Sequence, residues 1–541
     1  MSNHHKYINW IFGIAFSLAL TFGFEFQNFG EILVKSIWTY VAILLLSIGI
    51  SFGVKALWDL MIKLSNKALE KKETPATDGF FWHCFGAMWI LHFIVFLGVF
   101  PGFFVYDAQE ELMEVVTRSF NTRHPMLHVL SLGGVIQLFH KVTGSYNIGI
   151  AAFIILGMTL TVLIYAFVVN YLKNSGLGRR GGIALTLYFG LFPVLVMYSL
   201  CSVKDGFFGS FLIVVVLYLI KMIENPGGFF KKPYQMTNLV IAAILMMLFR
   251  NNGVYAFALF VFVCAFIFEK TPIMKPHNKR FVISMVYAIV AFLLINKTLL
   301  FVTNATSVGR CEILTVPIQQ MARVYDYDKA SLSSAQIAKI SKFIPEEAME
   351  RYNPKCSDMV KIEFNDKAFS DDTIGFFKIW GQTGLKHPIA YINAFIGTSY
   401  GLWYPGAIID GYSGNQVFTF TYGESSYFGY ETEEPGVRTS FIPVIDKLYK
   451  FISLDVRLQK FPIVSLLFSP GFMLWVMLFI MGFMVYTMKG HDAIPFLLPA
   501  LVILTCVFGP MSLVRYSYYL WVIVPVMIIE INIKRCYTNK L

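Results

Sequence analysis

A cluster of acidic side chains lies in one short stretch of the sequence, Phe100 to Leu130. Asp107, Glu110 and Glu111 follow the end of an apolar segment, and His124 precedes the next one. Ionisable groups at the mouth of a hydrophobic helix are expensive to keep there unless they are used. A carboxylate within hydrogen-bond reach of a hydroxyl can take its proton. The stretch therefore predicts a catalytic loop, with Asp107 as its base and the other three side chains in contact with a substrate.

Further polar residues lie at the ends of three later apolar segments. They are predicted to bind substrate, and they are Lys204, Asp205, Arg250, Asn251, Asn252, Arg515 and Tyr516. Arg presents a bidentate donor pair to a phosphate, and Lys acts as a point charge. Transfer of a group from a phosphate-activated lipid requires an acid residue that removes a proton and cations that bind the phosphate. Here both kinds of residue are predicted on one side of the membrane.

Each of these residues also has a purely structural interpretation. Asp107 suits the N-cap position of a helix. Lys204 and Asp205 suit a snorkelling cation and its partner. Arg515 suits an ordinary anchor at the membrane interface. The sequence alone leaves both interpretations open.

The composition indicates an integral membrane protein. Of the 541 residues, 56% are hydrophobic and 14% are charged, whereas about 25% of an ordinary soluble domain is charged. The net charge of +11 lies mostly in short loops, which makes it a topology signal and not a nucleic-acid surface. The cysteines do not form a disulfide framework, but Cys311 and Cys356 share a polar loop and could pair.

The apolar segments predict an all-α polytopic fold with about twelve transmembrane helices. Tyr7 to Phe26 and Val34 to Gly53 form two N-terminal crossings, and Phe81 to Phe100 then crosses outward. The loop between them, residues 54–79, is rich in lysine and is therefore placed in the cytoplasm. We expect a multi-pass protein of the plasma membrane with both termini in the cytoplasm.

The segment Met126 to Phe139 is predicted not to cross. It is about 14 residues long, and a transmembrane helix needs roughly 17 to 25. If it crossed, the basic loop Lys173 to Arg180 would lie outside, against the usual distribution of positive charge. We expect it to lie on the outer surface as an interfacial helix, with Asp107 to Phe120 as a second one.

Six crossings are predicted between Ile148 and Phe301. The fourth and fifth flank a polar turn, Arg250 to Gly253, that would lie in a protein-lined cavity below the outer interface. A single long helix from Leu239 to Phe268 is the alternative, and it would reverse the topology of everything that follows.

The distribution of charge divides the rest of the chain. Residues 302–460 contain 18 of the 33 acidic residues together with 16 Lys and Arg, which indicates a mixed-charge domain outside the membrane. The predicted organisation has four parts: two N-terminal helices with a basic loop, 1–80; a transmembrane core, 81–301, with its catalytic outer loop at 101–145; an extracytoplasmic domain, 302–463; and a C-terminal segment of three helices, 464–541.

The order of these features resembles the glycosyltransferase C (GT-C) superfamily. Asp107, the run His124 to Leu127, an interfacial helix, a pair of spans around a basic loop and then Lys204-Asp205 carry the resemblance. It covers roughly Phe81 to Phe301 and is most similar to the branch of protein O-mannosyltransferases and the lipid A aminoarabinose transferase. In that family the first outer loop carries the catalytic acid.

The resemblance implies a GT-C-like fold and an inverting sugar transfer with Asp107 as base. The implied donor is a polyprenyl-phosphate-linked sugar, and the implied acceptor is a hydroxyl of the cell envelope at the outer face of the bilayer. A divalent cation, Mg²⁺ or Mn²⁺, is a candidate cofactor. The family often has an acid pair, but Asp107 is followed by Ala108. Which acid is the base, and whether a metal is held, therefore stay open.

Two other functions fit the same features. A polysaccharide polymerase or ligase would also use a lipid-linked glycan and an outer loop. A transporter or flippase for a lipid-linked sugar would also be polytopic, but it should show an internal repeat and ionisable groups near the bilayer midplane.

Overall fold

The computed structural model describes residues 7–65, 79–307, 309–411, 429–454, 457–487 and 490–538. Within these residues the chain is helical, and its β pairing consists of isolated bridges. The all-α prediction is therefore confirmed for the described part of the chain.

Three helices open the chain: α1 (Ile8–Phe29), α2 (Ile37–Ser65) and α3 (Phe80–Gly98). Helix α2 continues beyond Gly53, the predicted end of the second crossing, to Ser65. Trp58, in that extra part, is fully buried and packs against Phe479 and Tyr486. Burial of this large ring favours continuing the helix. Residues 66–78 of the predicted basic loop lie outside the described residues.

Ten helices form the core of the bundle: α4 (Ala108–Thr117), α5 (Met126–Thr143), α6 (Tyr146–Leu172), α7 (Gly178–Leu191), α8 (Pro193–Ser199), α9 (Lys204–Glu224), α10 (Pro226–Lys231), α11 (Pro233–Leu248), α12 (Gly253–Lys270) and α13 (Lys275–Val302). The amphipathic α4 packs on α5, where Val115 lies against Gly133. These two helices cover one end of the bundle beside the acidic loop.

The basic connections of the core meet at the opposite end from the acidic loop. Tyr171, at the end of α6, donates to Glu224 at the end of α9 over 3.0 Å. Arg280, near the start of α13, donates to the carbonyl of Phe230 in α10 over 2.8 Å. Because α11 leaves this end and α12 returns to it, the chain reverses between them. The alternative of one long helix through Arg250 is therefore excluded.

The insertion after α13 contains ten shorter helices: α14 (Arg310–Ile313), α15 (Thr315–Asp328), α16 (Ser334–Ser341), α17 (Glu346–Met349), α18 (Asp358–Lys361), α19 (Asp366–Asp371), α20 (Thr373–Lys386), α21 (Pro388–Ser399), α22 (Pro443–Leu454) and α23 (Arg457–Lys460). Helices α14 to α20 enclose a hydrophobic core of their own, built on buried side chains such as Ile318, Phe343 and Phe376. Cys311 and Cys356 are both buried and free, so the pairing considered above does not form.

Four helices complete the chain: α24 (Val464–Phe468), α25 (Pro470–Thr487), α26 (Ile494–Val507) and α27 (Leu520–Thr538). Helix α25 packs against α1 and α27, and α26 packs against α12. The connection between α26 and α27 carries Arg515 and returns to the end of the bundle that holds the acidic loop.

Nine stretches of the described chain are long and apolar enough to cross a membrane, which confirms a polytopic membrane protein. One of them, Tyr146–Leu191, contains both α6 and α7, and α11 and α27 are shorter apolar helices. The predicted number of twelve crossings stays a prediction. Helix α5 is 18 residues long, so the predicted length of about 14 residues is wrong, but α5 is not among the candidate spans.

The positive charge at one end of the bundle predicts which end faces the cytoplasm. A cysteine introduced at exposed Ser119, beside the acidic loop, should react with a membrane-impermeant maleimide added to intact cells. A cysteine at exposed Asn174, in the basic connection, should react only after the cells are opened. The unmodified chain supplies the background, since its described cysteines are buried. The reverse labelling pattern would contradict this orientation.

Candidate functional site

The site is built on a short extended segment, Phe103 to Val105, that leads into Asp107. The segment makes backbone hydrogen bonds along both of its edges. On one side, Phe103 donates to the carbonyl of Leu200 over 3.0 Å and accepts from the amide of Ser202 over 2.9 Å. This pairing places the start of α9, with Lys204 and Asp205, directly beside Asp107.

A segment from the insertion pairs with the other side. The amide of Glu433 donates to the carbonyl of Phe104 over 2.7 Å, and the Thr432 hydroxyl donates to the carbonyl of Gly102 over 2.9 Å. Three parts of the chain that are far apart in sequence are thereby joined as in a small sheet. The loop before α4, the start of α9 and the segment around Glu433 all contribute side chains at this point.

Asp107 lies at the centre of the charged groups. Its carboxylate is 2.5 Å from the ammonium of Lys204 and 3.5 Å from a guanidinium nitrogen of Arg515. Burial alone would raise the pKa of the Asp107 carboxyl, but the charges of Lys204 and Arg515 hold it well below its ordinary value. The side chain makes no N-cap hydrogen bond to α4, and it is 31% exposed. Asp107 is therefore ionised and accessible.

A second carboxylate, Asp205, pairs with two arginines. Arg250 lies 2.7 Å from one of its oxygens, and the Nε of Arg515 lies 3.7 Å from the other. Asp205 is 2% exposed and Arg250 is 10% exposed. Arg515 contacts both Asp107 and Asp205, so one guanidinium connects the two ion pairs. The predicted convergence of Asp107, Lys204, Arg250 and Arg515 is found in the structure.

Aromatic rings hold the two arginines in place. The guanidinium of Arg515 lies 4.3 Å from the ring centre of Tyr106, and that of Arg250 lies 4.7 Å from the ring centre of Tyr516. Both are cation–π contacts. Tyr106 adopts a left-handed conformation, with φ of 64°, which costs about 1–3 kcal/mol for a residue other than glycine. Tyr516 contacts both arginines, and its hydroxyl accepts a hydrogen bond from Arg515 over 3.3 Å; its binding to a substrate stays a prediction.

Glu111 and two histidines fix the position of Lys204. The Lys204 ammonium donates to the Nδ1 of His124 over 3.0 Å and to Glu111 over 3.4 Å. His128, one turn after His124, contacts the other oxygen of Glu111. Burial opposes ionisation of Glu111, but His128 and Lys204 lower its pKa to about 2. Glu111 is 1% exposed and holds Lys204 in position, and its predicted contact with a substrate stays a prediction.

The other predicted residues lie at the edge of the site. Glu110 is 61% exposed and pairs with Arg123 over 3.2 Å. Asn251 is exposed, and Asn252 donates to Thr505 in α26 over 3.4 Å. Within the described residues, no contact joins either asparagine to the carboxylates, so only Arg250 of that turn reaches the charged cluster.

The described residues do not fit the Mg²⁺ or Mn²⁺ considered from the sequence. Asp107, Glu111 and His124 each bring one possible ligand atom within 4.8 Å of the others. The Lys204 ammonium, however, contacts all three of them. A divalent ion beside this ammonium would meet strong repulsion at low dielectric. Lysine thus supplies the positive charge at this position.

Sequence reasoning missed several residues of the site: Tyr106, His128, Glu431 and Glu433. His128 follows His124 at the spacing of one helical turn, which is a signal that both share a face. The acids at 431 and 433 lie in a polar insertion, where nothing in the local pattern separates them from ordinary surface charge.

The arrangement can bind an anion and accept a proton at adjacent positions. Three cations, Lys204, Arg250 and Arg515, alternate with the carboxylates Asp107 and Asp205. Charge-assisted hydrogen bonds from Arg and Lys are strong ligands for phosphate oxygens. A hydroxyl that approaches the exposed face of Asp107 would find a fixed acceptor next to these cations.

Residues 111–539 match the model of a protein family described as a family of unknown function (DUF6020). The match begins after Asp107 and includes Lys204, Asp205, Arg250, Glu433 and Arg515. No curated protein and no solved structure matches the chain.

Replacing Asp205 with alanine should strongly destabilise the protein. The change leaves two buried arginines without their shared carboxylate, and breaking a buried ion pair costs about 3–5 kcal/mol. The expected result is a clear drop in the unfolding temperature of the purified protein in detergent. As a control, Glu269→Ala removes an exposed pair with Lys275 and should leave the unfolding temperature unchanged. Equal unfolding temperatures for both variants would contradict the structural role of Asp205.

Proposed function

The chain belongs to this family of unknown function, and we propose from its site that it is a membrane glycosyltransferase. It would move a sugar from a polyprenyl-phosphate donor to a hydroxyl of a cell-envelope acceptor at the outer face of the bilayer, with inversion at the anomeric carbon. The finer features predicted from the sequence belong to this proposal: a GT-C-like fold, a plasma-membrane location and cytoplasmic termini.

One observation carries the proposal. Asp107 is an accessible, ionised carboxylate in direct contact with both Lys204 and Arg515 at one end of an apolar bundle. Sugar transfer from a lipid phosphate needs an acceptor for the hydroxyl hydrogen within a few ångströms of a cationic phosphate site. These two requirements coincide at Asp107.

The cations of the site are suited to the leaving phosphate. As the bond between sugar and phosphate breaks, negative charge develops on the phosphate oxygens, and fixed cations stabilise it. Lys204 would supply a point charge and Arg515 a planar fork of donors. Asp205 and Arg250 would hold Arg515 in place from behind. Asp107 and Asp205 pair with these cations in the absence of a donor, so the donor phosphate would compete with both carboxylates for them.

A flippase and a polymerase or ligase are the two alternatives to glycosyl transfer. A flippase for lipid-linked sugars needs ionisable groups that line a path across the bilayer, whereas this cluster lies at one end of the bundle, beside the acidic loop. A polymerase or ligase would use the same cations for the phosphates of a lipid-linked glycan. The experiment below distinguishes all three.

Purified protein in detergent should cleave a labelled polyprenyl-phosphate monosaccharide. A panel of hexose and pentose donors is incubated with the protein, and the release of polyprenyl phosphate is measured with and without sugar acceptors. A ligase would cleave only lipid-linked oligosaccharides, and a flippase reconstituted in vesicles would move the intact donor without cleaving it. Failure to cleave any monosaccharide donor would contradict the proposal.

Asp107→Asn should lower the rate of cleavage by about 100-fold or more, in the range typical for loss of a catalytic carboxylate. The change removes the negative charge that aligns the hydroxyl and holds Lys204 and Arg515. Asp372→Asn makes the same chemical change at an ion pair on the surface of the insertion, so that variant should keep the full rate. If the Asp107→Asn protein were as active as the unmodified chain, the proposed role of Asp107 in catalysis would be wrong.

A further inference from the structure

The segment around Glu433 brings a second carboxyl to the site. Beside the bond from its amide to Phe104, the Glu433 carboxyl accepts a hydrogen bond from the backbone amide of Tyr106. Tyr106 immediately precedes Asp107 in the chain, so these two bonds fix Glu433 next to the loop that carries Asp107. The side chain is only partly buried, which leaves it accessible to a substrate.

The strongest electrostatic influences on Glu433 are acidic. They come from Glu431 on its own segment and from Asp107 and Glu110 on the loop before α4 and on α4. The cation that follows on the same segment, Arg438, donates to the carbonyl of Tyr430 and to Thr432. Lys204 and Arg515 contact Asp107. Burial and the neighbouring acids raise the pKa of Glu433 to about 8.

The two carboxyl groups therefore differ in their capacity to take a proton. Lys204 and Arg515 hold the pKa of Asp107 well below its ordinary value, so Asp107 is a weak base. A base is most effective when its pKa lies near the working pH, because it then accepts a proton strongly while a useful fraction is still ionised. When two neighbouring carboxyl groups have separated pKa values, their roles in proton transfer separate as well.

We propose that Glu433, in place of Asp107, is the base that takes the proton of the acceptor hydroxyl, while Asp107 accepts a hydrogen bond that orients this hydroxyl and holds the cations. This role rests on the glycosyl transfer proposed above. The O–H bond of the acceptor breaks, and its proton goes to a carboxylate oxygen of Glu433. The acceptor oxygen bonds to the anomeric carbon as the bond from that carbon to the phosphate oxygen breaks. The electron pair of that bond leaves with polyprenyl phosphate.

The pH dependence of transfer distinguishes the two possible bases. If Glu433 is the base, it must be ionised, so the rate should rise with pH to a plateau, with a midpoint near its pKa of about 8. If Asp107 is the base, it is ionised throughout, and the rate should be flat between about pH 6 and 9. A flat profile for the unmodified protein would overturn the role of Glu433.

Variants of neighbouring acids supply the matched comparison. Glu433→Gln should lower the rate of transfer by about 100-fold or more, and Glu433→Asp should restore part of it. Glu434→Gln changes the exposed acid one residue further along and should keep both the rate and the pH profile. A Glu433→Gln protein that transfers at the unmodified rate would overturn the role of Glu433 but not the proposed glycosyl transfer. An unmodified protein that cleaves no donor would overturn the proposed function, and this role of Glu433 with it.

Protein stability gives a readout that needs no activity. Between the ordinary pKa of 4.5 and the raised value of about 8, unfolding lets Glu433 lose its proton, so the folded state is progressively destabilised as the pH rises. The unfolding temperature of the unmodified protein should thus fall relative to Glu433→Gln from pH 5 to pH 8 and change little above it. A constant difference across this range would contradict the predicted environment of Glu433.

Discussion

The backbone pairing of Phe103 to Val105 is the constraint on which the site depends. This short segment joins the start of α9 on one side and the segment around Glu433 on the other. Both partners carry charged side chains close to the paired residues. Because the backbone hydrogen bonds fix the positions of the three segments, these side chains are held in a single arrangement.

The charged groups then stabilise each other in pairs. A buried ion pair contributes little net stability, because desolvation offsets the attraction, but removing one partner is costly. Lys204 with Asp107 and Arg250 with Asp205 are such pairs, and Arg515 connects them. The result is a site with fixed positive charge and fixed hydrogen-bond acceptors side by side, which suits the proposed pair of a phosphate-bearing donor and a hydroxyl-bearing acceptor.

Hydropathy and charge are read along the chain, so the sequence predicted the apolar helices, the reversal at Arg250 and the polar residues at helix ends. It did not predict which residue of the turn at 250–252 reaches the carboxylates, because that depends on the direction of each side chain. The position of Glu433 also escaped prediction, since it follows from pairing with Phe104 more than three hundred residues away. The extension of α2 also escaped prediction, because it depends on packing of the Trp58 ring against Phe479 and Tyr486, which are distant in sequence.

The most direct test of a phosphate site among these cations is the affinity of the purified protein for a polyprenyl phosphate compared with the uncharged polyprenol of the same length. Both ligands bury the same isoprenoid chain, so the difference reports the phosphate alone. We predict that the phosphate binds at least about ten-fold more tightly, a difference of about 1.4 kcal/mol. Equal affinities would contradict the account.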